Sequence, residues 1–303
     1  MKLPNFFIVG AAKAGTTGLY HTIKQHPDIY MSPAKEPKYF AFPGPPPVLP
    51  GPCGQNYCRS TVWQPRRYAM LFAQAAHQRA IGEASVLYLR SPLAARRIRE
   101  SLPHSRIVAV LRQPAERAYS HYTFMRQKGV EPAPTFAEGL ALEPDRIRAH
   151  WFSGFFYRTN GNYHAQLAPY YELFPREQIR VYLYEDWLDD PFGMLGDLFR
   201  FLEVDDGFRP EIRHRNVTLL PKSRRLHHWT LRLQKLDRQG SAPSPLPRRM
   251  LKGALHRIDA ALNLAPPPPL AHETRADLTA SYHEEIEKLQ NLIGRDLSPW
   301  LKP

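Results

Sequence analysis

The chain has 303 residues, enough for one large α/β domain or two small ones with a substantial core. Hydrophobic residues make up 43% and charged residues 23%, as in a folded globular protein, and no apolar run reaches the ~18 residues of a membrane-spanning helix. The formal net charge of +13 favours anionic partners (nucleotides, polyanionic glycans, anionic lipid surfaces or nucleic acid) without choosing among them.

In chain order, "NFFIVGA" is a short continuous apolar run, the pattern of a strand buried on both faces of a parallel sheet. "GTTGLYHTIKQHP" reads as a helix ended by Pro27, and "DIYMSPAKEPKYFAF" begins as a strand and becomes a loop at its prolines. "PGPPPVLPGPCG", residues 43–54, is too rich in proline for an element interior and reads as a surface excursion. "PRRYAMLFAQA" is helical, "RAIGEASVLYL" is a strand running into a loop, and "SPLAARRIRESLP" is a helix with Ser91 as its cap and Pro92 at its first position. "RIVAVLRQP" is a third strand, followed by the long helical stretch "AERAYSHYTFMRQKG". "NYHAQLAPYYELFP" is an amphipathic helix, "QIRVYLYED" another strand and "PFGMLGDLFRFLEV" a further helix. Strands alternating with helices predict an α/β fold with a doubly wound parallel sheet.

The last third differs. From residue 222 to 257 there are ten Lys or Arg against one acid, Asp237, and the prolines of "SAPSPLP" and "PPPP" divide it into helical pieces. A final helix, "ETRADLTASYHEEIEKLQNLIG", closes the chain, which is expected to form a single domain over 1–303 with the basic segment 222–270 packed on or beside it. Arg248, Arg249 and Lys252 lie among the apolar residues of "PRRMLKGALHRIDAALNL". Two readings of that face stand open: packing on the core with solvated charges, or meeting an anionic glycan or the headgroups of a lipid-linked acceptor. The two cysteines, Cys53 and Cys58, read first as loop thiols in a reducing compartment and second as a local disulfide. With no signal-like segment ahead of the first strand, the expected location is cytoplasmic, with attachment to the inner membrane face through the basic segment as the alternative.

The chemistry concentrates in "FFIVGAAKAGTTGLYHTI". A strand, a glycine-containing turn and a helix start form the layout of a phosphate-cradling loop, but the residue after Gly15 is Thr16 rather than the lysine of an ATPase loop. The lysine stands inside the loop, at Lys13. Helix N-terminal amides, the hydroxyls of Thr16 and Thr17 and the Lys13 ammonium all suit a phosphate. The strand that could carry a metal-holding aspartate ends instead in Arg112, which argues for a nucleotide whose reaction needs no magnesium. No histidine or cysteine spacing supports a metal site, so no metal is expected.

Together, "FIVGAAKAGTTGLYHTIKQHPDIYMSPAKEPKYF" and "RIVAVLRQPAERAYSHY" resemble the sulfotransferases that use 3′-phosphoadenosine 5′-phosphosulfate (PAPS), especially the branch of heparan sulfate N- and O-sulfotransferases and their bacterial relatives. The resemblance runs from residue 6 to about 205, with a weaker tail at "LIGRDLSPWL". It implies that Lys13, Ala14, Gly15, Thr16 and Thr17 hold the 5′-phosphosulfate and that Arg112 and Ser120 hold the 3′-phosphate. It makes Glu36 of "AKEPKYF" the general base, with Lys35 and Lys38 flanking it and Lys38 counted with the catalytic set. "PKSRR" implies that Lys222, Ser223 and Arg224 close over the nucleotide. Ala84 stands where glycan-directed enzymes carry a lysine, a departure that points to a bacterial relative.

The reaction so implied is in-line transfer of a sulfuryl group from PAPS to a hydroxyl or amine, with a glycan or glycolipid as acceptor and adenosine 3′,5′-bisphosphate (PAP) as product. Lys13 would stabilise charge on the bridging oxygen, and Glu36 would take the acceptor proton. Two other readings are a nucleoside triphosphate-dependent kinase with an altered loop and a basic nucleic-acid-binding protein. The second lacks the interleaved aromatic residues of a stacking platform, so no nucleic acid is expected.

Overall fold

A computed structural model of the protein describes residues 2–212, 219–223, 226, 227, 230 and 263–302. Five parallel strands form its central sheet: β1 (Phe6–Gly10), β2 (Ile29–Met31), β3 (Ala80–Ala84), β4 (Arg106–Leu111) and β5 (Ile179–Leu183), in the order β2-β3-β1-β4-β5. Every residue of β1 and β3 is buried, which is why these segments read as unbroken apolar runs interrupted only by Glu83. Helices cover both faces of the sheet. Three strands from one edge, β2, β3 and β1, are laid down first, and the chain then continues on the other flank of β1 with β4 and β5. That change of direction creates a crevice at the carboxyl ends of β1 and its neighbours, where ligands of open α/β sheets bind.

The helices are α1 (Thr16–Ile23), α2 (Gly54–Arg59), α3 (Pro65–Met70), α4 (Ala94–Ser101), α5 (Pro114–Gln127), α6 (Phe136–Ala141), α7 (Glu143–Arg148), α8 (Tyr163–Leu173), α9 (Tyr184–Asp189) and α10 (Pro191–Phe201). A short antiparallel pair, β6 (Leu220–Pro221) with β7 (Leu264–Ala265), leads to α11 (His272–Ser281) and α12 (His283–Ile293).

Three details depart from the sequence reading. Ser91 does not cap α4 directly: its hydroxyl accepts the Leu93 amide at 3.4 Å, and a turn through Pro92 precedes the helix at Ala94. The strand in "QIRVYLYED" stops at Leu183, because Asp186 accepts the Leu183 amide at 2.8 Å and starts α9. The final helix is two helices, since α11 packs on α5 while α12 packs on α8. The break between them falls at Tyr282, whose buried hydroxyl donates to the Arg158 carbonyl at 2.7 Å. The proline-rich segment does lie at the surface, and it docks on the residues before α8: the Phe152 amide donates to Pro50, and Gly51 lies against the Trp151 ring, which leaves no room for a side chain. Cys53 and Cys58 are not bridged; the Cys58 thiol donates to the Pro47 carbonyl at 2.7 Å. No helix among the described residues is long and apolar enough to cross a membrane.

Candidate active site

The turn between β1 and α1 contains two residues with left-handed backbone, Lys13 (φ 71°) and Gly15 (φ 90°). Gly15 is required twice over: its φ disfavours any other residue, and a Cβ would sit 3.0 Å from the Tyr184 ring. The Ala11 amide donates to Val110 of β4 at 2.6 Å, which pins the loop beside the neighbouring strand end. Ala14 and Thr16 are buried, Thr17 is half-buried, and the first turn of α1 contains no acid to compete with an incoming anion.

Lys13 reaches over the Phe124 ring, 4.4 Å from its centroid, and makes no ion pair with any described residue. Burial, then the charges of Arg112 and Lys128, bring its pKa down to about 8. Arg112 leaves the end of β4 and lies 5.1 Å over the Tyr184 ring. Its contact with Glu116 is long, 3.4 Å, and Glu116 is itself paired with Arg275. Burial lowers the Arg112 pKa as well. Tyr184 therefore touches both the loop and Arg112, and with Phe124 it completes a site that sequence reasoning left without aromatic walls. Ser120 lies two turns into α5, half-buried.

Glu36 stands on the other side of the loop, also at positive φ (64°), and its backbone and side chain are fixed by the end of β3. Its amide donates to the Ala84 carbonyl at 2.9 Å; one carboxylate oxygen accepts the Val86 amide at 3.0 Å and the other meets Lys35 at 2.8 Å. The third member of the predicted catalytic set is elsewhere. Lys38 is buried, and its ammonium is held by the Ser60 hydroxyl at 2.7 Å and the Tyr57 carbonyl at 3.2 Å, so it braces the end of α2. Burial brings its pKa down to about 8.

A cleft open to solvent runs from the loop, at Ala11 and Ala12, past Glu36. Arg90, Arg117 and His121 line it and were not singled out from the sequence as site residues. His121 is buried, and its pKa is held well below the usual histidine value by burial, then by Arg117 and Lys13. Behind the cleft, Glu83 is fully buried, and burial pushes its pKa up to about 8. The hydroxyls of Tyr68 and Tyr88 approach it without reaching good hydrogen-bond geometry and stabilise its charge only in part.

Lys222 and Ser223 are exposed, with amides donating at 2.6 Å to the carbonyl and side-chain oxygen of Asn263 respectively. They follow β6, which packs against α5, the helix that also carries Ser120 and Phe124. Arg224 and the face with Arg248, Arg249 and Lys252 lie outside the described residues. His26 packs between Phe199 and Phe208, and no group of acidic, histidine or cysteine side chains among the described residues is arranged to hold a metal.

Comparison with known proteins adds four likenesses. The family model described as Sulfotransferase domain matches residues 3–223. A crystal structure of a sulfotransferase from Alicyclobacillus acidocaldarius is 32% identical, with a TM-score of 0.79 and full coverage of both chains. The bifunctional heparan sulfate N-deacetylase/N-sulfotransferase of Drosophila melanogaster is 26% identical over 218 residues, 67% of this chain and 20% of that protein. The membrane-associated sulfotransferase kil1 of Dictyostelium discoideum is 30% identical over 125 residues, 41% of this chain. The chain spans a quarter or less of the length of these curated relatives, 24% of kil1 and 20% of the Drosophila protein.

Proposed function

The chain belongs to the sulfotransferase domain family, and from that premise we propose that it transfers the sulfuryl group of PAPS to a hydroxyl or amine of an acceptor and releases PAP. The observation that carries this reading is the pair of desolvated cations, Lys13 and Arg112, on either side of the Gly15 turn at the crevice, with Glu36 across the loop. Lys13 has no described counter-ion, and the adjoining helix start carries no acid, so this corner suits a polyanion. PAPS supplies an activated sulfuryl group whose transfer leaves negative charge on the departing phosphate.

The chain's own residues position and stabilise. The α1 amides with Thr16 and Thr17 bind the 5′-phosphate, and Lys13 offsets charge growing on the bridging oxygen. Arg112 and Ser120 grip the 3′-phosphate, the guanidinium offering two parallel donors. Glu36, oriented by Lys35 and the Val86 amide, accepts the acceptor's proton. Lys222, Ser223 and Arg224 close over the nucleotide from the β6 side. Lys38, two residues on, holds the end of α2 in place rather than touching the acceptor. A glycan or glycolipid is the first acceptor class to assay.

Thermal denaturation with PAP, adenosine 5′-monophosphate or Mg-ATP tests the reading. A ligand at about 100 times its Kd stabilises by roughly 2.7 kcal/mol. PAP is expected to stabilise strongly and the monophosphate weakly. Stabilisation by Mg-ATP but not by PAP would replace this reading with that of a kinase.

A further inference from the structure

The cleft beside Glu36 is mixed in character in a specific way. Val86, Leu87 and Leu89 give it an apolar wall, and the rings of Tyr57 and Phe152, 4.2 Å apart between centroids, close one side. Opposite these apolar surfaces is Arg90. Its guanidinium donates to Asn160 Oδ1 at 3.2 Å and lies near the Tyr57 hydroxyl, both neutral groups. Arg90 makes no ion pair among the described residues and is partly buried where it lines the cleft. Arg117, fully buried next to it, has among the described residues only the Tyr157 carbonyl and His121 as hydrogen-bond partners, and its Nε has none there. The acid that acts on Arg90 is Glu36, which is already committed to Lys35 and the Val86 amide.

Two guanidinium groups, Arg117 fully buried and Arg90 partly so, thus line the cleft with no dedicated carboxylate among the described residues. A buried charge is ordinarily paired, because an unpaired one loses several kcal/mol of hydration, on the order of the penalties measured when one partner of a buried pair is removed. Asn160 orients Arg90 without neutralising it, leaving its remaining planar donors for a ligand oxyanion. The loop corner has its own cations, Lys13 and Arg112, so a ligand oxyanion in the cleft does not depend on them.

We propose that Arg90 is an acceptor-specificity residue: the acceptor's reacting part is compact and apolar-bodied and carries an oxyanion (carboxylate, phosphate or sulfate) that seats on Arg90 while its hydroxyl or amine faces Glu36. This rests on the sulfuryl-transfer reading and narrows it, since a unit of this kind differs from a long polar glycan chain.

The test uses the full chain, saturated with PAP for calorimetry and free of PAP for transfer, and a panel of hydroxyaryl and hydroxyalkyl carboxylates, their methyl esters and an unsulfated glucuronic acid–glucosamine oligosaccharide. Calorimetry reads binding, and radiolabelled PAPS reads transfer. At least one acid is expected to bind tenfold or more tightly than its ester and to be sulfated in preference to the oligosaccharide. Arg90→Gln should bring the acid-to-ester ratio close to one with PAP affinity unchanged, and Arg90→Lys should restore part of the ratio. Equal binding of acids and esters, no binding of either, or preference for the oligosaccharide overturns the inference. The wild-type ratio alone decides it if Arg90→Gln does not fold. Loss of the underlying reading shows separately, as absence of PAP affinity in the wild-type protein.

Discussion

Burial beside Arg112 and Lys128 brings Lys13 to a pKa of about 8, so in the unliganded protein at that pH its amine is half neutral. A bound polyanion favours the ammonium form and raises that pKa, so binding above pH 8 must draw in a proton. PAP affinity is therefore expected to fall between pH 7 and pH 9, with proton uptake visible as a buffer-dependent calorimetric heat; Lys13→Gln should abolish the uptake. An uptake unchanged in Lys13→Gln would assign the proton to another group. Arg112→Ala should shrink the preference for PAP over adenosine 5′-monophosphate by about 1.5–3 kcal/mol, the worth of a charged hydrogen bond. The same ratio in variant and wild type would remove Arg112 from the 3′-phosphate. Glu36→Gln keeps the Val86 contact and loses the proton acceptor. Transfer should drop about 10²–10⁴-fold while PAP still binds; weakened PAP binding with normal turnover would make Glu36 structural.

Among the elements, β3 carries the least expected group. Glu83 sits mid-sheet opposite Phe7 of β1, and its folded pKa of about 8 lies above the ordinary carboxyl value of 4.5. The folded protein then holds a proton that the unfolded chain has released between those two values, so this group's contribution to stability falls as pH rises to about 8 and is level beyond. Glu83→Gln should flatten that decline and melt above wild type at pH 8.5; a variant with the wild-type pH profile would show that the carboxyl is already ionised. The elements also explain what the sequence could and could not disclose. The loop from Lys13 to Thr17 and the strand-ending Arg112 are local patterns, visible because an apolar run leads directly into them. Tyr184, Phe124 and Arg90 become neighbours of the site only when β5, α5 and the end of β3 are brought together, and no spacing along the chain announces that. Lys38 shows the reverse: a lysine two residues from Glu36 reads as a second charge at the site, yet its backbone at φ 60° turns the ammonium into the protein to meet Ser60. The broken C-terminal helix was equally hidden, because the helical periodicity runs through Tyr282 and only packing on different partners divides it.

At the scale of the molecule, the last described residues reach back to the crevice. Gln113, next to Arg112, caps α5 by accepting the Glu116 amide at 2.8 Å and donates to the Trp300 carbonyl at 3.2 Å. Arg295 clasps both oxygens of Asp186, at 2.8 and 2.9 Å, and Asp186 holds the Leu183 amide just before Tyr184. Trp300 is buried in the same core as the sheet. Trp300→Ala is expected to cost about 3–5 kcal/mol, the usual range for emptying a buried tryptophan site. It should also weaken PAP binding at temperatures where the protein is still folded, although Trp300 lies outside the proposed nucleotide contacts. Destabilisation with undiminished PAP affinity would confine the tail to a packing role.

The ladder between β1 and β3 has one more consequence. Ile8 is registered with Ala84, the Ser85 amide donates to Ile8, and Ala84 in turn receives the amide of Glu36. The span from the Gly15 turn to the carboxylate is therefore gauged in main-chain hydrogen bonds, across strands spaced about 4.8 Å apart, rather than by the reach of any side chain. The sheet acts as a ruler. Loops around the cleft other than the one that carries Glu36 could be exchanged for others, and this carboxylate would still stand at the same mark beside the turn.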